Sequence, residues 1–268
     1  MCGRACSSVG RALSSHDRGP RFKSVHAHHS TNSLTSFIHP DTKDGLKNAK
    51  LRPQNYNKEL KMPSLNHLHA LEQLQNTYYE LRHGRSVPQE NGIILSDPIE
   101  AGRRENGLVE VGRQSVKLSV DVAMRDGLVD ARTIIKSSPL SRALETAEIS
   151  QKVLSAGIIV VEPGLRERCF GRYEGKSNKY YQAVWDLDVI DPDHTDMGVE
   201  SANAVQQRFS KVILETEKEF HGRIVLLVGH GDTLQIGETA FQKLPASIHR
   251  SLPPLQNAEI RRMQLGNR

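Results

Sequence analysis

The chain has 268 residues, 37% of them hydrophobic, and a formal net charge of +5. That length allows one large domain or two small ones, and the hydrophobic fraction leaves room for segments outside any packed core. The charge is uneven: residues 1–61 hold 11 Lys and Arg against 4 Asp and Glu, while residues 62–268 hold 25 against 27. The basic excess belongs to the first quarter, so the remainder shows no electrostatic footprint for nucleic acid.

Cys2, Cys6 and Cys169 are the only cysteines. They form neither a disulfide framework nor a zinc-ligand spacing, which fits a reducing compartment. The longest apolar runs, residues 158–161 and 224–228, are far too short to span a membrane. An apolar signal-peptide core is also missing.

Residues 1–61 are rich in Ser, His and Arg, and Asp17 is the single acid among the first 40 residues. This composition resembles an organelle transit peptide, which would place the protein in a plastid or mitochondrion; otherwise a cytoplasmic location is expected. A disordered extension, or an untranslated stretch with Met62 as the start, are the alternatives. His26, His28 and His29 could bind metal, but a segment without a core holds ligands poorly. Residues 62–268 are expected to form the folded domain.

Residues 65–75 have the apolar spacing of a short helix, which leads into a strand at 78–81. Residues 86–106 carry Pro88, Gly92, Pro98 and Gly102 and read as a long loop over a sheet edge, a place where function concentrates. Helical spacing returns at 108–124. A short strand at 133–135 precedes a helix of good helix formers at 140–154. A strand at 158–161 follows, then a charged loop at 165–175 and a helix at 180–187 with the only Trp, Trp185. The five aspartates between 186 and 196 lack the central glycine of a calcium loop and read as a solvated acidic loop. Ser201 caps a helix running to about 220. The strand at 224–228 is apolar throughout, a helix covers 233–243, and 258–263 suits an edge strand. This alternation of strands and helices predicts an α/β sandwich, three layers with a mostly parallel central sheet.

Three of those strands end in polar signals: Arg82-His83-Gly84, Ser137-Ser138-Pro139 with Arg142 on the next helical turn, and His230-Gly231. In a parallel sheet such ends share one edge, where open α/β sheets bind ligands. Arginine forks onto phosphate oxygens, and a neutral histidine beside it can attack phosphorus. Each residue alone has a plainer reading: a strand-end histidine, a helix-surface arginine, a structural His230.

Together four stretches resemble the histidine phosphatase superfamily, also called phosphoglycerate-mutase-like. They are Leu81 to Ser86, Ser137 to Ala147, Leu165 to Gly171, and Val228 to Asp232. The resemblance spans about Thr77 to the end, and Gly-Arg-Ser followed by Pro is similar to plant phosphoglycerate-mutase-like proteins. It implies that His83 is the nucleophile of a phosphohistidine mechanism. Arg82, Arg142 and His230 would hold the phosphoryl oxygens. Glu167 would protonate the leaving oxygen and then help deprotonate water, which needs a raised pKa. Glu162 and Glu174 lie close by as alternatives for that role. Ser86, Gln89 and Gly231 would be substrate contacts. No metal or other cofactor is implied, and the partner is a small phosphorylated substrate.

Several positions depart from the pattern. Gln89 stands where many members carry Asn, and Arg85 where a polar residue is usual. The Thr-Gly-Trp segment and the paired arginines of the true mutases are missing, and Asp232-Thr233 replaces Asn-Ser. These departures favour a phosphatase over a bisphosphoglycerate-dependent mutase, and the intact set of five residues argues against a catalytically silent binding protein. Arg168 and Arg172 read as solvated charges or substrate-carboxylate contacts, and Cys169 as a buried inert thiol.

Overall fold

A computed structural model of the chain describes residues 67–266. The expectations for residues 1–61, including the His26, His28 and His29 cluster, lie outside them. Strand β1 is Thr77–Arg82. The short helices α1 (Val87–Glu90) and α2 (Pro98–Ala101) precede the long α3 (Glu110–Arg125). Strand β2 (Ile134–Ser137), helix α4 (Ser141–Leu154) and strand β3 (Ile159–Val161) follow. Helices α5 (Tyr181–Ile190) and α6 (Ala202–Glu219) lead to β4 (Ile224–Gly229), α7 (Gly231–Phe241) and β5 (Ile260–Met263).

The strands form one sheet in the order β3-β2-β4-β1-β5, parallel except for β5. Strand side chains alternate between faces, and both faces are covered. Tyr79 and Leu81 pack with Val116 and Val120 of α3 and Ala143 and Ala147 of α4. Tyr78, Val225 and Leu227 pack instead with Phe209 of α6 and Leu234 and Phe241 of α7. The three-layer α/β sandwich is therefore as the alternation predicts. A smaller cluster of Ile94, Phe170, Val184 and Val199 caps the sheet beyond its carboxyl edge. None of the helices among the described residues is long and apolar enough to cross a membrane.

The differences from the sequence expectation have local causes. Of the segment 65–75, expected to be a helix, the described residues form one 3-10 turn, His67–Ala70. Beyond it Glu217 accepts from the Gln75 N–H and the Asn76 amide, and tethers that chain to the end of α6. The segment 86–106 is not structureless. Asp97 caps α2 by accepting from Ile99 and Glu100 N–H groups, and Pro98 supplies a preset first helical residue. Helix α7 starts at Gly231, so His230 is its N-cap. Asp186 and Asp188 of the acidic stretch belong to α5, and Asp188 is fully buried.

Gly84 turns the chain out of β1 with an ordinary φ. Its need for glycine is steric: a Cβ would lie 2.6 Å from the Gly112 carbonyl oxygen of α3. Gly112 is held reciprocally, since its Cβ would meet the Arg85 carbonyl oxygen at 2.1 Å. Gly112→Ala is therefore expected to destabilise the protein by about 1–3 kcal/mol through overpacking. Chemical denaturation checks this; unchanged stability would show that the α3 contact can relax.

Candidate active site

The carboxyl ends of β1, β2 and β4 deliver the polar residues to one place. Arg82 is aligned with Gly229 across the parallel β1–β4 pair. The next residues, His83 and His230, lie with ring centroids 5.1 Å apart. His83 donates its backbone N–H to the Gly229 carbonyl at 3.0 Å, and its own carbonyl accepts from the Asn257 amide at 2.9 Å. Arg142 arrives from the first turn of α4, after β2. Thr146, one turn on, ties this helix to the β1 turn by accepting from the Gly84 N–H at 3.2 Å.

The hydrogen bonds fix the state of the His83 ring. Nδ1 lies 2.7 Å from the Gly84 carbonyl, which can only accept, so Nδ1 carries the proton. Nε2 accepts from Arg142 Nε–H at 3.2 Å, so the lone pair lies on Nε2. Burial, then the charges of Arg142 and Arg82, hold the ring's pKa well below the usual histidine value. Burial does the same for His230, reinforced by Arg142 and His83. The Nε2 of His230 pairs with the Ser138 hydroxyl at 2.8 Å.

Both arginines are anchored by carbonyls. Arg82 donates one Nη–H to Leu255 at 2.7 Å, and Arg142 one to Leu95 at 3.0 Å. Arg82 Nε, Arg142 Nη1 and His230 Nδ1 are buried without a protein partner. A buried unpaired donor costs about 1–3 kcal/mol, and such groups persist mainly where function holds them. Here two guanidiniums with unused N–H groups, and an imidazole with an unpartnered Nδ1, converge beside an imidazole lone pair, an arrangement suited to an anion.

Glu167 is buried against the start of α7. Its Oε1 accepts from the Arg168 N–H at 2.9 Å and the Thr233 N–H at 3.3 Å. Burial and then the neighbouring Asp232 carboxylate raise its pKa, against the pull of Arg142. With Oε1 occupied by two N–H donors, a bound proton sits on Oε2. Glu162 and Glu174, the sequence alternatives, have structural tasks. Glu162 caps a 3-10 turn through the Gly164 N–H. Glu174 accepts from the Ser96 N–H and hydroxyl and from the Asp97 N–H, and so fastens the 86–106 segment.

The remaining expected contacts are placed less directly. Ser86 is fully buried at the start of α1. Gln89 accepts from the Ser86 N–H and pairs its amide with Asn257, so it reaches His83 only through Asn257. Gly231 packs near Arg82: a Cβ there would lie 3.4 Å from the guanidinium. Arg85 points outward and pairs with Glu90 at 2.5 Å. Arg168 is no solvated charge. It is fully buried and forks onto Asp188 at 2.6 and 2.7 Å, because a carboxylate inside the cap compensates its burial. Arg172 is exposed, and Cys169 is a buried free thiol.

Sequence reasoning missed an aromatic wall. Tyr181 and Trp185 of α5 stack with centroids 5.5 Å apart and planes 7° from parallel. The Trp185 indole N–H reaches both Asp232 oxygens at 3.0 Å, and Arg250 lies over the Trp185 ring at 3.8 Å. Asp232 and Trp185 each stood out in the sequence, but 47 residues apart nothing linked them. Arg250 and Asn257 carried no motif.

A family model described as histidine phosphatase superfamily (branch 1) matches residues 79–268. A Hydrogenobacter thermophilus protein provisionally named phosphoserine phosphatase 2 is 31% identical over 163 residues, covering 58% of this chain and 73% of the relative. Among solved structures, mycobacterial glucosyl-3-phosphoglycerate phosphatase superposes with a TM-score of 0.57 at 24% identity, covering 69% of this chain and 88% of that one. The YhfR protein of Bacillus stearothermophilus gives a TM-score of 0.55 at 25% identity, over 69% and 89%. None of these three is a plant protein, so the plant-like flavour of the first motif finds no support among them.

The ring assignments have a measurable consequence. Nitrogen-15 spectra at pH 6 should show His83 and His230 both neutral, His83 with its proton on Nδ1; a doubly protonated His83 there would refute the assignment. The linkage has a definite sign. An unfolded histidine takes a proton near pH 6.5 and the folded rings refuse it. The stability so held is complete above about pH 6.5 and is lost as pH falls. The stability difference between wild type and His83→Asn should therefore shrink from pH 7 to pH 5. Taking that difference cancels the opposite contribution of Glu80, Glu167 and Glu238, whose pKa values are raised.

Proposed function

The chain belongs to the histidine phosphatase superfamily, and from that footing we propose that it hydrolyses small phosphomonoesters through a phosphohistidine on His83. The observation that carries the reading is the neutral His83 ring, its Nε2 lone pair set among the buried, unpartnered Arg82 Nε–H, Arg142 Nη1–H and His230 Nδ1.

The steps follow from that arrangement. The phosphoryl oxygens take the free N–H groups of Arg82, Arg142 and His230. The anion draws the Arg142 guanidinium onto itself and thereby uncovers the His83 lone pair. Nε2 attacks phosphorus in line, the P–O bond to the leaving group breaks, and Glu167 Oε2 gives that oxygen its proton. The ring then carries positive charge, which its Nδ1–H shares with the Gly84 carbonyl. In the second step water attacks, Glu167 as carboxylate takes the water's proton, and the P–N bond breaks to leave phosphate and neutral His83. The helix α7 N-terminus, capped by His230, adds its dipole to the anion site.

Glu167 must be protonated for the first step and ionised for the second, so a carboxyl raised toward neutrality suits both. The provisional name of the Hydrogenobacter relative makes O-phosphoserine the first compound to try, beside phosphoglycerates, sugar phosphates and nucleotides.

Purified full-length protein should release phosphate from p-nitrophenyl phosphate, with activity retained in EDTA. His83→Ala should abolish it; equal activity in that variant would sink the nucleophile assignment. Glu167→Gln should lower kcat by about 10²- to 10⁴-fold on substrates with poor leaving groups, and less with p-nitrophenolate. With 3-phosphoglycerate, isomerisation outrunning phosphate release would identify a mutase instead.

A further inference from the structure

Arg250 stands on the 3-10 turn Ala246–Ser251, outside the four motifs. Its guanidinium is held in place from two sides. Its carbon lies 3.8 Å from the Trp185 ring centroid, and one Nη–H is donated to the Gln235 amide oxygen. Each support is itself fixed. Gln235 donates to the Leu252 carbonyl at 2.6 Å. Trp185 is stacked on Tyr181 and bonded to Asp232. This assembly borders the phosphoryl site on the Arg82 side, because Asp232 follows Gly231 and the Cβ position of Gly231 is 3.4 Å from the Arg82 guanidinium.

Arg250 is half-buried. Among the described residues no carboxylate comes within 4.0 Å of it to form an ion pair. Asp232, the nearest acid of the assembly, is already committed to the Trp185 N–H and lies 3.6 Å from Arg168. A guanidinium held on an aromatic ring, partly stripped of water and with N–H groups uncommitted is arranged to receive an anion as a fork. The phosphoryl group has its own three donors around His83, so this fourth position serves a different group. The Asp232 charge close by disfavours a dianion and leaves room for a monoanion.

We propose that Arg250, presented on the Trp185 ring, anchors a carboxylate of the substrate, so that the preferred substrates are phosphorylated hydroxy or amino acids. This rests on the phosphatase reading of the His83 site.

The experiment compares full-length wild type, Arg250→Met and Arg250→Lys on matched pairs. O-phosphoserine is set against phosphoethanolamine, and 3-phosphoglycerate against glycerol 3-phosphate, with fructose 1,6-bisphosphate as the dianionic control. A charge-assisted hydrogen bond corresponds to a loss of about 10- to 100-fold. The ratio of kcat/KM between each acid and its carboxylate-free counterpart should fall by that factor in Arg250→Met, mainly through KM. Arg250→Lys should fall between the two, since it keeps the charge and the packed stem without the fork, and it carries the test if the Met variant does not fold. An equal loss on both members of a pair, no loss at all, or a greater loss with the bisphosphate would overturn the proposal. Failure of the phosphatase reading is distinguishable: wild type would then hydrolyse none of these compounds, or His83→Ala would match it.

Discussion

The parallel register between β1 and β4 is the constraint on which the site depends. Arg82 lies opposite Gly229, so the residues that follow, His83 and His230, emerge together. A slip of one residue would turn Arg82 and Glu80 to the opposite face and part the two rings. The register is held from both faces, by Tyr79 and Leu81 against α3 and α4, and by Tyr78 against α6 and α7. Nonpolar packing spread through the whole sandwich thus sets the position of two imidazoles at its edge. β5 completes the arrangement by placing the approaching segment, with Asn257, under the His83 carbonyl.

Above that edge the cap is tied by charge. Arg168 follows Glu167 directly in the chain and forks onto Asp188 of α5, while His194 reaches the same carboxylate at 3.0 Å. Such a buried pair adds little net stability, yet breaking it leaves an uncompensated charge and costs several kcal/mol. Its effect is to give α5 one position relative to the loop carrying Glu167. Glu200, just before α6, does the same: burial would raise its pKa, but Arg208 of α6 and Arg166 outweigh that and bring it to about 2. The acid therefore stands in a frame of paired charges while itself remaining unpaired on Oε2.

How far the sequence could be read follows from the range of each signal. The strand ends and their chemistry were legible because apolar runs stop at Arg82, Ser137 and Gly229 within a few residues of the polar group. The sandwich was legible from the same alternation. Arg168 was misjudged because its partner, Asp188, is 20 residues away and looked like one of five solvated acids. The helix expected at 65–75 is cut to the turn His67–Ala70, and at its far end the Gln75 N–H goes to Glu217 on a distant helix, a contact no local pattern announces. Arg250 stayed invisible because a cation on an aromatic ring leaves no periodic or local trace, and Trp185 lies 65 positions earlier in the chain.

On the proposed mechanism, the contact between Arg142 Nε–H and His83 Nε2 keeps the attacking atom occupied until an anion arrives. An electrophile that carries no negative charge meets a capped imidazole and has nothing with which to displace the guanidinium. Reactivity would then be conditional on recognition: the feature proposed to identify a phosphoryl group is also the one that would uncover the nucleophile. On that reading, chemical selectivity comes from one shared hydrogen.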